Sequence, residues 1–113
     1  MSELIAYADF EKVDVRVGRI TAVKPFDKAR KPAFQLWIDF GTALGIKKSS
    51  AQIIDLYTPD QLTGRLVLAV VNFPPRQIAD FMSEVLVLGV PNAEGQIILL
   101  QPEREAPLGS KMF

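Results

Sequence analysis

The chain has 113 residues, 49% of them apolar, with 13 basic residues balanced by 13 acidic ones. That length suits one domain, able to bury roughly two-thirds of its unfolded surface, and the apolar share argues against disorder. Cysteine and histidine are both absent, which excludes disulfides, thiolate nucleophiles, Cys/His zinc sites and a Ser-His-Asp triad; zero net charge leaves any polyanion binding to a local patch.

The start, Met1-Ser2-Glu3-Leu4, lacks the basic and apolar regions of a signal peptide. No apolar run approaches the roughly 18 residues of a membrane helix. A soluble, cytoplasmic protein is expected, non-catalytic and without metal or cofactor.

Val13, Val15 and Val17 alternate with Asp14, Arg16 and Gly18, the period of a half-buried strand. Gly18 inside that run predicts a bend or bulge of the kind that curves a strand round a small barrel. The run continues through Ile20 and Val23 to Lys24-Pro25, where proline removes a ladder donor. Pro25 to Pro32 reads as a basic loop. A second strand follows, with Phe34, Leu36, Ile38 and Phe40 on one face and Gln35, Trp37 and Asp39 on the other. Gly41-Thr42-Ala43-Leu44-Gly45 is a hairpin connection, and Ile46 to Lys48 is the return strand.

Ser49 or Ser50 then reads as the N-cap of a short helix over Ala51 to Leu56, ended by Tyr57-Thr58-Pro59-Asp60. Arg65 to Val71 is a near-continuous apolar run and so a central strand. Phe73-Pro74-Pro75 must leave the sheet. Val85 to Leu88 and Gln96 to Leu100 are two more strands, joined by the turn cluster Pro91 to Gly95. Five or six strands, one short helix and no βαβ alternation make an all-β fold, a five-stranded Greek-key barrel of the oligonucleotide/oligosaccharide-binding (OB) type.

Charge is unevenly spread. Arg16, Arg19, Lys24, Lys28, Arg30, Lys31, Lys47 and Lys48 face only Asp27 and Asp39 in the same stretch. Such a division makes either a solvated surface or a phosphate-binding face. Phe26 and Trp37 among these cations are candidates for stacking on bases, whereas Phe34 lies on the core phase of its strand. Lys47-Lys48-Ser49-Ser50 reads as a strand end and helix cap rather than a Ser–Lys nucleophile pair. Ser83-Glu84 offers one carboxylate without a partner, suited to accepting hydrogen bonds from a loop or a bound base. Arg76 after the paired prolines has a planar fork that suits phosphate. Phe81 and Met82 are core residues or adaptable contacts.

The segments Asp39-Phe40-Gly41, Gly45 to Ile53 (Gly-Ile-Lys-Lys-Ser-Ser-Ala-Gln-Ile), Val70 to Arg76 (Val-Val-Asn-Phe-Pro-Pro-Arg) and Ser83 to Leu88 (Ser-Glu-Val-Leu-Val-Leu) carry a resemblance. They are similar to the tRNA-binding-domain family, and within it to its bacterial secretion-related chaperones. Asp9 to Gly18 and Leu99 to Pro102 fit as well, so the resemblance spans nearly the whole chain. The family also holds the C-terminal module of methionyl-tRNA synthetase, which carries glycine where this chain has Ala51 or Val85. The resemblance implies a homodimer whose barrel, about residues 10–101 of a single domain 1–113, is flanked by extensions 1–9 and 102–113 in the interface. Leu4-Ile5-Ala6-Tyr7, Pro107-Leu108 and Met112-Phe113 are the candidate interface strands.

Two functions follow as expectations. The first is an export-related chaperone that holds unfolded or precursor polypeptide, with Phe73, Phe81 and Met82 as apolar contacts and an edge strand offering main-chain hydrogen bonds. The alternative is tRNA binding, with Arg16, Arg30, Lys31, Lys47, Lys48 and Arg76 on phosphates and Ser49, Ser50, Asn72 and Ser83 on a base or sugar. Gln52 and Glu84 complete the candidate site.

Overall fold

The computed structural model describes residues 2–113; Met1, the first residue of the expected N-terminal extension, lies outside them. The elements in chain order are α1 (Tyr7–Glu11), β1 (Val15–Pro25), β2 (Phe34–Asp39), β3 (Ile46–Ala51), α2 (Pro59–Leu62), β4 (Leu66–Val70), β5 (Arg76–Ile78), β6 (Phe81–Ser83), β7 (Leu86–Val87), β8 (Gly89–Pro91) and β9 (Ile97–Leu99). One five-stranded sheet has the order β3-β2-β1-β4-β7, and β5-β6 and β8-β9 form two ribbons.

The long strand β1 organises the barrel. Its first half, Val15 to Arg19, pairs with β4, and its second half, Arg19 to Pro25, pairs with β2. Changing neighbours along one strand curls the sheet, so that β3 and β7, both running in the direction of β1, approach each other across a nearly closed antiparallel barrel of the OB type. The N–H groups of Glu84 and Val85 meet the Lys48 carbonyl there at 2.8 and 3.3 Å. The expected alternation of β2 holds: Phe34, Leu36 and Ile38 are buried, as is Phe40, and they pack with Ile20, Ile53, Leu62, Val67, Ala69, Val85 and Leu99.

Gly18 is not the bulge. The register of β1 against β2 shifts between Ile20 and Ala22. Gly18 is required for a close approach instead, because a Cβ there would lie 2.5 Å from Ile38 Cγ2 and 2.7 Å from Phe40 Cε1. The expected helix over Ala51 to Leu56 is also absent. Ser49 and Ser50 remain in β3, opposite Leu36 and Gln35, because the ladder with β2 outcompetes a single serine cap. The helix starts later, at Pro59. Thr58 Oγ1 accepts from the Gln61 N–H at 3.3 Å and Gln61 Oε1 accepts from the Thr58 N–H at 3.0 Å. That reciprocal capping box, with proline in the first turn, is the stronger start signal; residues read as a helix end are its beginning.

The strand expected over Val85 to Leu88 is divided. Leu86–Val87 stays on β4, and Gly89–Pro91 turns away to pair with β9. The turn between β8 and β9 is as expected, with Asn92 Oδ1 accepting from the N–H groups of Glu94 and Gln96 at 3.0 and 2.9 Å. Leu4 to Tyr7, expected as an interface strand, is not one: Tyr7 opens the helix α1 and the residues before it are in no strand. One feature had no forecast, the β5–β6 hairpin that folds over the outer face of β2. Phe81 from that hairpin, Phe26 and Ala33 form a second small core against Trp37 and Ile78. Phe26 and Trp37 thus face Phe81 edge-on at 5.4 and 5.9 Å.

The C-terminal segment lies along the first half of β1. Val17 donates to the Ser110 carbonyl at 3.0 Å, and the Gly109 and Met112 N–H groups donate to Val17 and Val15 carbonyls, both at 2.8 Å. Among the described residues no helix is long and apolar enough to cross a membrane.

Candidate functional site

The barrel seam is shut at Lys48 and opens beyond it into a cleft of about 670 Å³. Ser50, Ala51, Gln52 and Ile53 form one wall, and Val85 to Gly89 with Ile97 and Leu99 form the other. Phe73, Pro74, Arg76 and Ile78 overhang it. The floor is apolar because the seam exposes the barrel's own core side chains, Ile53, Val85 and Leu99 among them.

Main-chain polarity is available on both walls. Leu88 donates to the Leu68 carbonyl at 2.9 Å, so Leu86 and Leu88 face β4 and the N–H and C=O of Val87 turn away from it, into the seam. On β3 the Phe40–Gly45 hydrogen bond sets the ladder phase, so Lys48, Ser50 and Gln52 turn their main-chain groups away from β2. Lys48 N–H is taken by Glu84 Oε1 at 3.0 Å and Ser50 N–H by Ser83 Oγ at 3.0 Å. Gln52 and Val87 have no main-chain partner among the described residues.

Six of the expected site residues line this cleft: Ser50, Gln52, Phe73, Arg76, Ser83 and Glu84. Arg76 is exposed and forms no ion pair among the described residues. Met82 is exposed on the hairpin, opposite Gln77. Phe81 is buried in the second core, with Lys48 Nζ 5.2 Å from its ring centre. Lys24 Nζ stands 5.5 Å from the Trp37 ring, so Lys24, Trp37, Phe81 and Lys48 form a cationic, aromatic patch on the outer face of β1, β2 and β3. Arg30 and Lys31 are exposed in the loop beyond it. Lys28 of that loop pairs with Asp80 at 2.8 Å. Its ammonium holds the Asp80 carboxyl below the usual carboxylate range, and the carboxylate raises Lys28, in each case chiefly through the hydrogen bond.

The remaining expected residues lie elsewhere. Lys47 and Lys48 are consecutive in a strand and point to opposite faces, Lys47 sharing the side of Ile38, so they do not grip one phosphate together. Ser49 is fully buried and donates to the Ser50 carbonyl. Asn72 clamps the N-terminal segment, accepting from the Asp14 N–H at 3.0 Å and donating to the Lys12 carbonyl at 2.7 Å. Arg16 clamps the C-terminal one, donating to Asp14 Oδ1 at 2.6 Å and to the Gly109 carbonyl at 2.9 Å. The Asp14 hydrogen bond raises the Arg16 pKa. The apolar walls, Val85, Val87, Ile97 and Leu99, were not anticipated as site residues. In sequence they are strand residues like those of the core, and only their place at the seam distinguishes them. Among the described residues no group of three or more acidic side chains is arranged to hold a metal ion.

Comparison with known proteins gives the relatives of this arrangement. A family model described as a tRNA binding domain matches residues 15–111. The crystal structure of the chaperone CsaA from Bacillus anthracis is 50% identical with a TM-score of 0.90, over 98% of this chain and 100% of that one. The CsaA chaperone protein from Picrophilus torridus is also 50% identical, with a TM-score of 0.91 over 97% of this chain and 100% of that one. A methionine–tRNA ligase from Pelodictyon phaeoclathratiforme is 37% identical over 90% of this chain, which spans only 14% of the ligase.

Proposed function

Because the chain belongs to the tRNA-binding-domain family, we propose that it is a non-catalytic, export-related chaperone of the CsaA kind, holding extended unfolded or precursor polypeptide in the seam cleft. One observation carries this reading: an apolar floor lies between walls whose main-chain groups at Gln52 and Val87 lack partners among the described residues. An extended polypeptide suits both features, since its alternate residues offer main-chain groups to an edge and side chains to a floor. A phosphate backbone would meet one cation among the described lining residues, Arg76, and the carboxylate of Glu84 shares that lining. The proposed site of action is the cytoplasm, as a homodimer joined through the terminal segments, whose Leu4, Ile5 and Phe113 are exposed. A two-fold dimer doubles the cleft and adds avidity for a long client.

A second reading, tRNA binding, is favoured by the outer patch of Lys24, Trp37, Phe81 and Lys48, where cations flank aromatic rings. One experiment separates the two. Aggregation of a chemically unfolded polypeptide is followed with wild type, Val87→Asp, which charges an apolar wall of the cleft, and Lys24→Glu/Lys48→Glu, which inverts the outer patch. Loss of protection with Val87→Asp alone supports the chaperone reading; no protection by the wild type ends it. Binding of tRNA at 50 and 200 mM salt tests the other reading, since several phosphate contacts cost orders of magnitude in affinity over that range. Absence of tRNA binding at the lower salt ends that one.

A further inference from the structure

We infer that Ser83 and Glu84 are positioning residues, a side-chain latch on the open edge of β3 that fixes where the cleft begins.

A barrel of this kind would close by a main-chain ladder between β3 and β7, yet no such ladder forms. Ser83 and Glu84 stand in for it. Lys48 uses both main-chain groups at the seam: its carbonyl accepts from the Glu84 and Val85 N–H groups, and its N–H donates to Glu84 Oε1 at 3.0 Å. Two residues on, the Ser50 N–H donates to Ser83 Oγ at 3.0 Å. Two residues further, Gln52 has no such partner among the described residues, and it lines the cleft. The β3 edge is therefore latched at Lys48 and at Ser50, where the cleft opens, and its first free outward-facing main-chain groups beyond the latch are those of Gln52. Ser83 and Glu84 are half-buried and line the cleft mouth, but each has an oxygen committed to β3. The latch has a second consequence. Uncapped N–H groups on a strand edge are a template for another chain. Releasing Ser50 would extend the free edge by two residues from Gln52, roughly 7 Å at strand spacing, back to Lys48, whose carbonyl the Glu84 and Val85 N–H groups still hold.

The test compares Glu84→Ala and Ser83→Ala with Glu84→Gln and Ser83→Thr, which keep an acceptor oxygen. Amide exchange is read at Lys48 and Ser50, with the β2-facing amides of Lys47 and Ser49 as internal controls. Exchange at Lys48 in Glu84→Ala, and at Ser50 in Ser83→Ala, is expected to rise about tenfold, the worth of one net hydrogen bond. The acceptor-keeping variants stay near wild type. Binding of a reduced, alkylated polypeptide should shift about threefold or more in the alanine variants and be rescued in the conservative ones, as expected if the free edge sets client length. Unchanged exchange in the alanine variants overturns the latch, as does failure of the acceptor-keeping variants to restore it. Raised exchange with unchanged affinity overturns the positioning role. The affinity arm rests on the polypeptide reading and the exchange arm does not: if even the wild type binds no polypeptide, that reading fails while exchange still decides the latch.

Discussion

At the residue scale, identical side chains take different roles according to which way the strand turns them. Ser49 is sealed in the core while Ser50 lines the cleft. Lys47 and Lys48 diverge across β3. Asn72 and Arg16, both expected to contact a ligand, instead tie the two terminal segments to the barrel. Their motif positions were legible in the sequence; their hydrogen-bond partners, 58 and 93 residues away, were not. Gly18 shows the same limit, since its need for no Cβ comes from Ile38 and Phe40 on the neighbouring strand. Gly18→Ala is expected to destabilise the fold by about 1–3 kcal/mol through overpacking, read as a lower denaturation midpoint with an unchanged slope.

At the element scale, the hairpin β5–β6 and the C-terminal segment complete faces that the five-stranded sheet leaves open. The Lys28–Asp80 pair joins the basic loop to the hairpin turn. Because folding lowers the Asp80 pKa, its contribution to stability is present above the ordinary carboxylate range and is lost as pH falls through the folded value. Lys28 is raised, so its contribution is present below the ordinary ammonium range and is lost as pH climbs through the folded value. The difference in melting temperature between wild type and Asp80→Asn should therefore be widest near neutral pH and vanish in acid. It should be small throughout, since both side chains are exposed and screened. Deleting residues 109–113 removes the partners of Val15 and Val17 on β1. At roughly 0.5–1.5 kcal/mol per net hydrogen bond, a loss of about 2–4 kcal/mol is expected by denaturant titration. Light scattering should rise as well, because the uncovered β1 edge can pair with other chains.

At the scale of the whole molecule, the seam cleft and the outer cationic patch adjoin along the strand β3. Ser50, two residues along β3 from Lys48 and on the same face, lines the cleft, while Lys48 Nζ stands over Phe81 in the patch. Exposed apolar side chains also gather at the chain ends, where Leu4 and Ile5 precede α1 and Phe113 closes the chain. For the proposed homodimer, sedimentation of the wild type should give twice the 12.5 kDa chain mass. Leu4→Asp/Ile5→Asp should shift it toward the monomer and weaken capture of long clients more than short ones, because avidity is lost while each cleft remains. A wild type that sediments as a monomer contradicts the dimer without touching the cleft.

Alternation and punctuation alone determined the β class, the buried phase of β2, the glycine hairpin at Gly41 to Gly45 and the exit of the chain at Phe73-Pro74-Pro75. These signals are local, set by which side of a strand each residue faces and by which backbone angles it tolerates. Tertiary structure decided that Ser49 and Ser50 extend β3 instead of capping a helix, because pairing with Leu36 and Gln35 outweighs a local cap. It also decided that Val85, Val87, Ile97 and Leu99 wall a cleft. An apolar strand residue reads alike whether its barrel closes over it or parts beside it, and that depends on hydrogen bonds between segments distant in sequence.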